Sequence, residues 1–293
     1  MIITRTPFRI SMFGGGTDYP GWYREHGGAV LSTTIDKYCY ITCRYLPPFF
    51  EHKTRIAYSK IETVASNEDI EHPAVRGVLQ YMKIRDGLEI HHDGDLPARS
   101  GIGSSSSFTV GLLHALHALT KKMVSQRQLA EESIFLEQNC LNESVGVQDQ
   151  IMAAYGGFRI IELGEDKNWN IKSMLLPSDY VKDLEDHVLL GFSGVSRTAE
   201  QHAKMTVENI KQGKTTEELK AIAVVSQEAL ACFQKQASFD EIGILLDQSW
   251  QLKRRLASKI SSDWMDDLYQ TAISNGAFGG KLMGAGGGGF FFF

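Results

Sequence analysis

The segment LPARSGIGSSSSFTVG, residues 96–111, places Gly101 and Gly103 in a short turn and follows them with four consecutive serines, Ser104 to Ser107, ahead of an apolar run. Glycine lets the backbone turn tightly and approach a bulky group. Serines at a helix start add hydroxyls to amides that have no partner within the helix. With the helix dipole behind them, such groups converge on an anion, and a phosphate fits. The plainer alternative is a helix cap with surplus serines. No lysine follows Gly103, so the turn is not a GxxxxGK[ST] loop, and GIGSSSS does not supply the GxSxG of a serine-hydrolase elbow.

Upstream of this turn the chain is rich in short β-type runs. IITRTPFRISMF, AVLSTTIDKYCYITCRYL and GLEIHHDG carry branched and aromatic residues between Gly or Pro boundaries and predict strands. Downstream, FTVGLLHALHAL and QRQLAEESIFLEQNC repeat apolar residues at three- and four-residue spacing, which predicts amphipathic helices; GGFRIIEL returns to strand pattern. HVLLGFSG then reads as a strand, helices are expected from Thr198 to Leu268, and a Gly-flanked strand and an aromatic run close the chain. Polar and turn residues in EDKNWN and PSDY place a domain boundary near residues 165–185, giving domains 1–180 and 181–293 of an α+β protein.

The chain has 293 residues, 43% hydrophobic, and a formal net charge of −5, enough apolar content for a packed core and too little positive charge for non-specific binding to nucleic acid or acidic membranes. Cys39, Cys43, Cys140 and Cys232 show no CxxC pairing, so reduced thiols and a cytoplasmic location are expected. No stretch reaches the roughly 18 apolar residues of a membrane span.

Three further segments carry candidate chemistry. GAGGGG, residues 284–289, contains GxGxxG, but phenylalanines follow where a dinucleotide fold needs a helix and a later acidic residue, so a close-packed turn explains it better than a nicotinamide site. In ESVGVQDQIMAAYGG, Asp149 follows an uncharged approach and can accept or orient a proton, or simply start a helix. Glu137, twelve residues upstream beside Ile134, Phe135 and Leu136, can hold a hard cation such as Mg²⁺ or face solvent on its helix. In PFRISMFGGGTDYPG, Arg9 points opposite to Phe8 and Ile10, and Asp18 follows three glycines and Thr17; a cleft arginine with a hydroxyl-binding carboxylate, or a salt bridge and a turn aspartate, both suit.

Taken together, these segments resemble the GHMP kinases, the family of galactokinase, homoserine kinase, mevalonate kinase and phosphomevalonate kinase. PFRISMFGGGTDYPG is similar to the family's first motif. LPARSGIGSSSS resembles its PxxxGLGSS phosphate loop, with Pro97, Gly101 and Gly103 in place, and KLMGAGGGG resembles its third motif. GVQDQ resembles the GxMDQ segment of the sugar-directed branch. GGGTDYP and VGVQDQ resemble the kinases of heptose phosphates in bacterial cell-surface sugar synthesis. Galactokinase-like members read GEHTDY, and glycines in place of Glu and His leave room for a different sugar.

The resemblance implies a two-domain fold, like ribosomal protein S5 domain 2 at the N-terminus and ferredoxin-like at the C-terminus, with ATP and sugar between. It implies that Pro97, Arg99, Ser100, Gly101, Ile102, Gly103 and Ser104 to Ser107 wrap the ATP phosphates, and that Ser105, or its neighbour Ser104, holds Mg²⁺ with Glu137. Asp149 would take or orient the proton of the attacking hydroxyl, with Arg9 stabilising negative charge. Thr17, Asp18 and Tyr19 would meet the sugar, and Gly286, Gly287 and Gly288 would shape the cleft floor. Arg197, in SGVSRTAEQHAK, would grip the acceptor's own phosphate, or pair with Glu200 on the same helix. A fucose- or galactose-type kinase and a non-catalytic ATP and sugar sensor stay open, as does a homodimer.

Overall fold

The computed structural model describes residues 1–164, 168–195, 200–258 and 260–293. The first half alternates strands and helices: β1 (Ile2–Phe13), α1 (Pro20–His26), β2 (Gly28–Tyr45), β3 (Thr54–Ala57), β4 (Ile61–Val64), α2 (Pro73–Met82), β5 (Leu88–Gly94), α3 (Ser104–Leu119), α4 (Gln126–Phe135), α5 (Gln148–Tyr155), β6 (Phe158–Leu163) and β7 (Trp169–Ser173). The second half is mostly helical: α6 (Ser178–His187), β8 (Leu190–Phe192), α7 (Glu200–Lys211), α8 (Thr216–Lys235), α9 (Phe239–Lys253), α10 (Asp263–Ser274), β9 (Lys281–Leu282) and β10 (Phe290–Phe292).

β2 organises the larger sheet. Its first part pairs with β6 and its second with β5, both antiparallel, while β1 lies along its other edge. The sheet order is β4-β3-β5-β2-β6-β7, with β1 bonded to β2. With one strand neighbour, β1 tolerates Pro7, whose nitrogen cannot donate. The register shifts between Pro7 and Arg9, and the Arg9 amide turns to the carbonyl of Ile102 at 3.0 Å. That bulge ties the first candidate motif to the phosphate turn.

α3 packs across β1 and β2. Gly111 permits the approach, since a β-carbon there would stand 2.8 Å from the Thr6 hydroxyl. An amphipathic helix is expected here, but Ser106 to Leu113 are all buried, so α3 is enclosed on nearly every face. FTVGLLHALHAL has too few polar positions to make a solvent stripe.

The second sheet, in the order β8-β10-β9, is built from the closing aromatic run. Phe290 and Phe292 join a core containing Phe8, Ile10, Leu112 and Phe233; Phe291 joins a second with Ile151, Trp250 and Tyr269. Both cores draw on both halves. The stretch 165–185 holds β7 and most of α6, and Tyr180 of α6 donates to the carbonyl of Ala237 at 2.8 Å, so α6 packs with the second half. Among the described residues no helix is long and apolar enough to cross a membrane, and the four cysteines are free.

Candidate active site

Three loops from distant parts of the sequence meet at the N-terminus of α3. Arg99, Gly101 and Gly103 all take left-handed backbone conformations, with φ of 58°, 81° and 75°, and Gly103 stands at the N-cap of α3, where it offers no side-chain cap. The four serines divide their work. Ser104 accepts from the Arg99 amide at 3.1 Å, Ser106 donates to Glu137 Oε2 at 2.9 Å, and Ser107 donates to the Pro7 carbonyl at 2.9 Å. Ser105 is exposed, as are Pro97 and Arg99, whereas Ser100 and Ile102 are buried.

Beneath the turn lies a two-pronged ion pair. Arg9 Nε reaches Asp149 Oδ1 at 2.8 Å and the second guanidinium arm reaches Oδ2 at 2.6 Å, while the third nitrogen donates to the Gly101 carbonyl. Arg9 is buried, yet the Asp149 side chain keeps 27% of its surface exposed. Gly103 sits directly on this pair: a β-carbon there would be 3.1 Å from Arg9 Cγ and 3.5 Å from Asp149 Oδ2. The candidate proton acceptor therefore opens toward solvent at the foot of the phosphate turn.

Asp18 stands beside it, only 2% exposed. Its oxygens accept from the amides of Gly16 at 3.0 Å and Gln148 at 3.4 Å. Burial, reinforced by the neighbouring Asp149 charge, raises the Asp18 pKa above the usual carboxylate range, against the pull of those amides. Burial and the same two carboxylates push the Tyr19 phenol upward. Thr17 differs from the expectation of a sugar contact: it is fully buried, and its hydroxyl donates to the carbonyls of Gly14 at 2.8 Å and Ala29 at 3.3 Å, holding the loop.

Glu137 is completely buried: helical spacing puts it on the face that Ala130 and Ser133 bury in α4, and a π turn at Leu136–Cys140 begins there. Oε2 accepts from Ser106 and, at 2.5 Å, from Gln150; Oε1 has no hydrogen-bond partner among the described residues. Burial first, then Glu143, pushes this carboxyl up to about 8. An orphaned carboxylate oxygen near a phosphate turn fits a hard cation that shares its shell with phosphates. The serine bonded to Glu137 is Ser106, where the resemblance implied Ser105 or Ser104.

The third glycine loop also departs from expectation. Gly286, Gly287 and Gly288 are buried against Ile260, His202 and Val195, so they pack inward and do not floor a cleft. Gly284 and Gly289 instead meet the phosphate turn: β-carbons there would fall 2.6 Å from Gly101 Cα and 2.3 Å from the Ser100 carbonyl oxygen. The two glycine loops are thus seated backbone to backbone. Arg197 lies outside the described residues.

Two lysines that the motif reading passed over complete the site. Lys281, 3% exposed on β9, donates to the Met12 carbonyl at 3.1 Å, and burial with the nearby Arg9 charge lowers it to about 7. Lys253, the last residue of α9, donates to the carbonyls of Leu282 at 2.6 Å and Gly284 at 2.5 Å. Lys281 is legible in principle as a lone lysine between Gly280 and the apolar Leu282 and Met283 in GGKLMGAGGGG; Lys253 closes an apolar helix and carries no such mark.

The description "GHMP kinases N terminal domain" matches residues 71–157, and "GHMP kinases C terminal" matches residues 227–293, together more than half the chain. A D-glycero-alpha-D-manno-heptose 7-phosphate kinase of Campylobacter jejuni is 28% identical over all of this chain and 88% of its own length. A bifunctional fucokinase/GDP-fucose pyrophosphorylase of Arabidopsis thaliana is 26% identical over 97% of this chain, the match covering 29% of that longer protein. A crystal structure of a D-glycero-D-manno-heptose 1-phosphate kinase from Bacteroides thetaiotaomicron superposes with a TM-score of 0.79 at 22% identity, covering all of this chain and 88% of that one, and shares its fold. With both domain signatures in order and the phosphate turn, the Arg9–Asp149 pair and the third glycine loop converging on one site, the chain belongs to the GHMP kinase family.

Proposed function

We propose that this chain transfers the γ-phosphoryl group of ATP to a hydroxyl of a heptose phosphate, at the anomeric carbon of D-glycero-D-manno-heptose 7-phosphate or a related sugar. The observation that carries the reading is the Arg9–Asp149 pair lying under Gly103, at the mouth of the phosphate turn. Phosphoryl transfer asks for aligned oxygens and compensated charge, and little covalent work by the protein. Two of the Asp149 lone-pair positions are held by Arg9, and those remaining can accept the acceptor hydroxyl's proton. Arg9 fixes the carboxylate's orientation and places positive charge below the turn. The amides at the start of α3 supply donors for the nucleotide phosphates. Glu137, with Ser106 beside it, would hold Mg²⁺, which when bound offsets charge on the phosphates; Ser105, exposed one residue earlier, is the second candidate. Asp18 and Tyr19 form the sugar side, where glycines at 14 to 16 keep the loop low, and Arg197 takes the acceptor's phosphate. We divide the chain into domains 1–180 and 181–293, and place the reaction in the cytoplasm.

The name of the Campylobacter relative supports heptose phosphate; that of the plant relative supports fucose as the alternative acceptor. ADP release is measured with ATP and a panel of heptose phosphates, fucose and galactose. Turnover is expected with a phosphorylated heptose. Turnover with fucose or galactose alone would move the assignment to the alternative, and ATP binding with no ADP release on any sugar would make the chain a sensor. For the phosphate contact, Arg197→Ala should raise the sugar-phosphate KM far more than the ATP KM; equal effects would refute that assignment.

A further inference from the structure

Lys253 and Lys281 are unusual among the buried cations of the site. Arg9 has Asp149, but neither lysine ammonium has a carboxylate within ion-pair distance among the described residues; both are spent on backbone carbonyls. Desolvating an ammonium costs several kcal/mol, by order of magnitude, and carbonyl bonds recover only part of it. Apolar side chains could tie the same segments together more cheaply. The segments they tie are the two substrate loops.

Lys253 holds Leu282 and Gly284, on either side of Met283, and Met283 is the seat of the phosphate turn. A β-carbon at Gly101 would stand 2.5 Å from the Met283 carbonyl oxygen, so the two backbones are already in contact. Any shift of residues 282–284 is passed to Gly101, whose carbonyl also takes the third Arg9 nitrogen. Lys281 reaches the opposite way, to Met12, immediately before Phe13 and the Gly14–Asp18 loop. Both ammonium groups belong to one electrostatic cluster. Lys281 and Arg9 oppose the Lys253 charge while Asp149 and Asp18 favour it; Arg9 opposes the Lys281 charge while Asp18 favours it.

We propose that the two lysines are positioning residues for different substrates: Lys253 sets the phosphate turn for the nucleotide, and Lys281 sets the Gly14–Asp18 loop for the acceptor. This rests on the placement of ATP and sugar given above. It also accounts for two buried amines at positions where apolar packing would suffice.

The test compares Lys253→Met and Lys281→Met by calorimetric titration with a non-hydrolysable ATP analogue and by the KM for the sugar phosphate. Lys253→Met should weaken the analogue about ten- to a hundredfold, by displacing the turn, and leave the acceptor KM within about twofold. Lys281→Met should do the reverse, and Lys253→Arg should recover part of the analogue affinity. A merely structural role would lower thermal stability without this split. If a methionine variant fails to fold, Lys253→Gln and Lys281→Gln keep a donor without the charge and are read the same way. The analogue arm decides without turnover: Lys253 substitution must weaken it and Lys281 substitution must not. Equal effects of the two, or none, would overturn the inference. A wild-type protein that binds the analogue but phosphorylates no sugar would overturn the proposed function instead.

Discussion

A β-carbon at Gly146 would fall 1.8 Å from the Oδ2 atom of Asp18, so the loop before α5 is seated on the carboxylate proposed for the sugar side, with no room for any side chain. The contact is reinforced by the Val147 amide, which donates to the Asp18 carbonyl at 3.2 Å. Gly146→Ala should therefore displace Asp18 and raise the acceptor KM about tenfold or more, because an overpacked buried site relaxes by moving its neighbours. ATP-analogue affinity should stay within about twofold, since the side chain of Asp18 bonds to the amides of Gly16 and Gln148 and not to the turn at Gly101. Parallel losses for both substrates would show that Gly146 serves the fold and not the sugar side.

The serine tract offers a sharp contrast. Ser106 is buried and bonded to Glu137, whereas Ser105 is exposed. Ser106→Ala removes a donor from an already under-bonded carboxyl and should lower stability by about 1–3 kcal/mol. Ser105→Ala should change it by less than about 0.5 kcal/mol. Chemical denaturation of the two variants checks this; similar midpoints would mean that Ser106 does not hold Glu137 in solution.

Glu137 also predicts a pH dependence. Its ordinary value is 4.5 and burial raises it to about 8, so between those limits the folded state binds the extra proton. Stability from this group is full below the lower value and is lost as pH climbs through the upper one. Without divalent metal, Glu137→Gln should melt close to wild type at pH 5 and on the order of 5 °C above it at pH 8.5. A melting difference that does not change with pH would mean that Glu137 titrates normally.

The strands of the first half were legible because β-branched and aromatic runs sit between glycine and proline boundaries, and β1, β2 and β5 lie close to where those runs predict. The short β3 and β4 leave no mark in the sequence, since four residues carry almost no period. Arg9 and Asp149 were legible one at a time, each with an equally good plain explanation. Their pairing depends on a register shift in β1 and on the Gly103 turn, and neither is written in local pattern.

Glu137 shows the same limit from the other side. Helical periodicity runs unbroken through QRQLAEESIFLEQNC and puts Glu137 on the face of Ala130 and Ser133, but nothing in it announces the π turn or the Ser106 and Gln150 partners. The third glycine loop was recognised as a close-packed turn, but which glycines face the phosphate turn follows from long-range backbone contact: Gly284 and Gly289 do, and Gly286 to Gly288 do not.

The central claim is that Asp149, held by Arg9 under the phosphate turn, acts on the acceptor hydroxyl and not on the nucleotide. The most direct measurement is single-turnover phosphoryl transfer by Asp149→Asn, with ATP-analogue affinity determined on the same preparation. The account predicts a rate lowered about 10²- to 10⁴-fold with analogue affinity close to wild type. Transfer at the wild-type rate would contradict it.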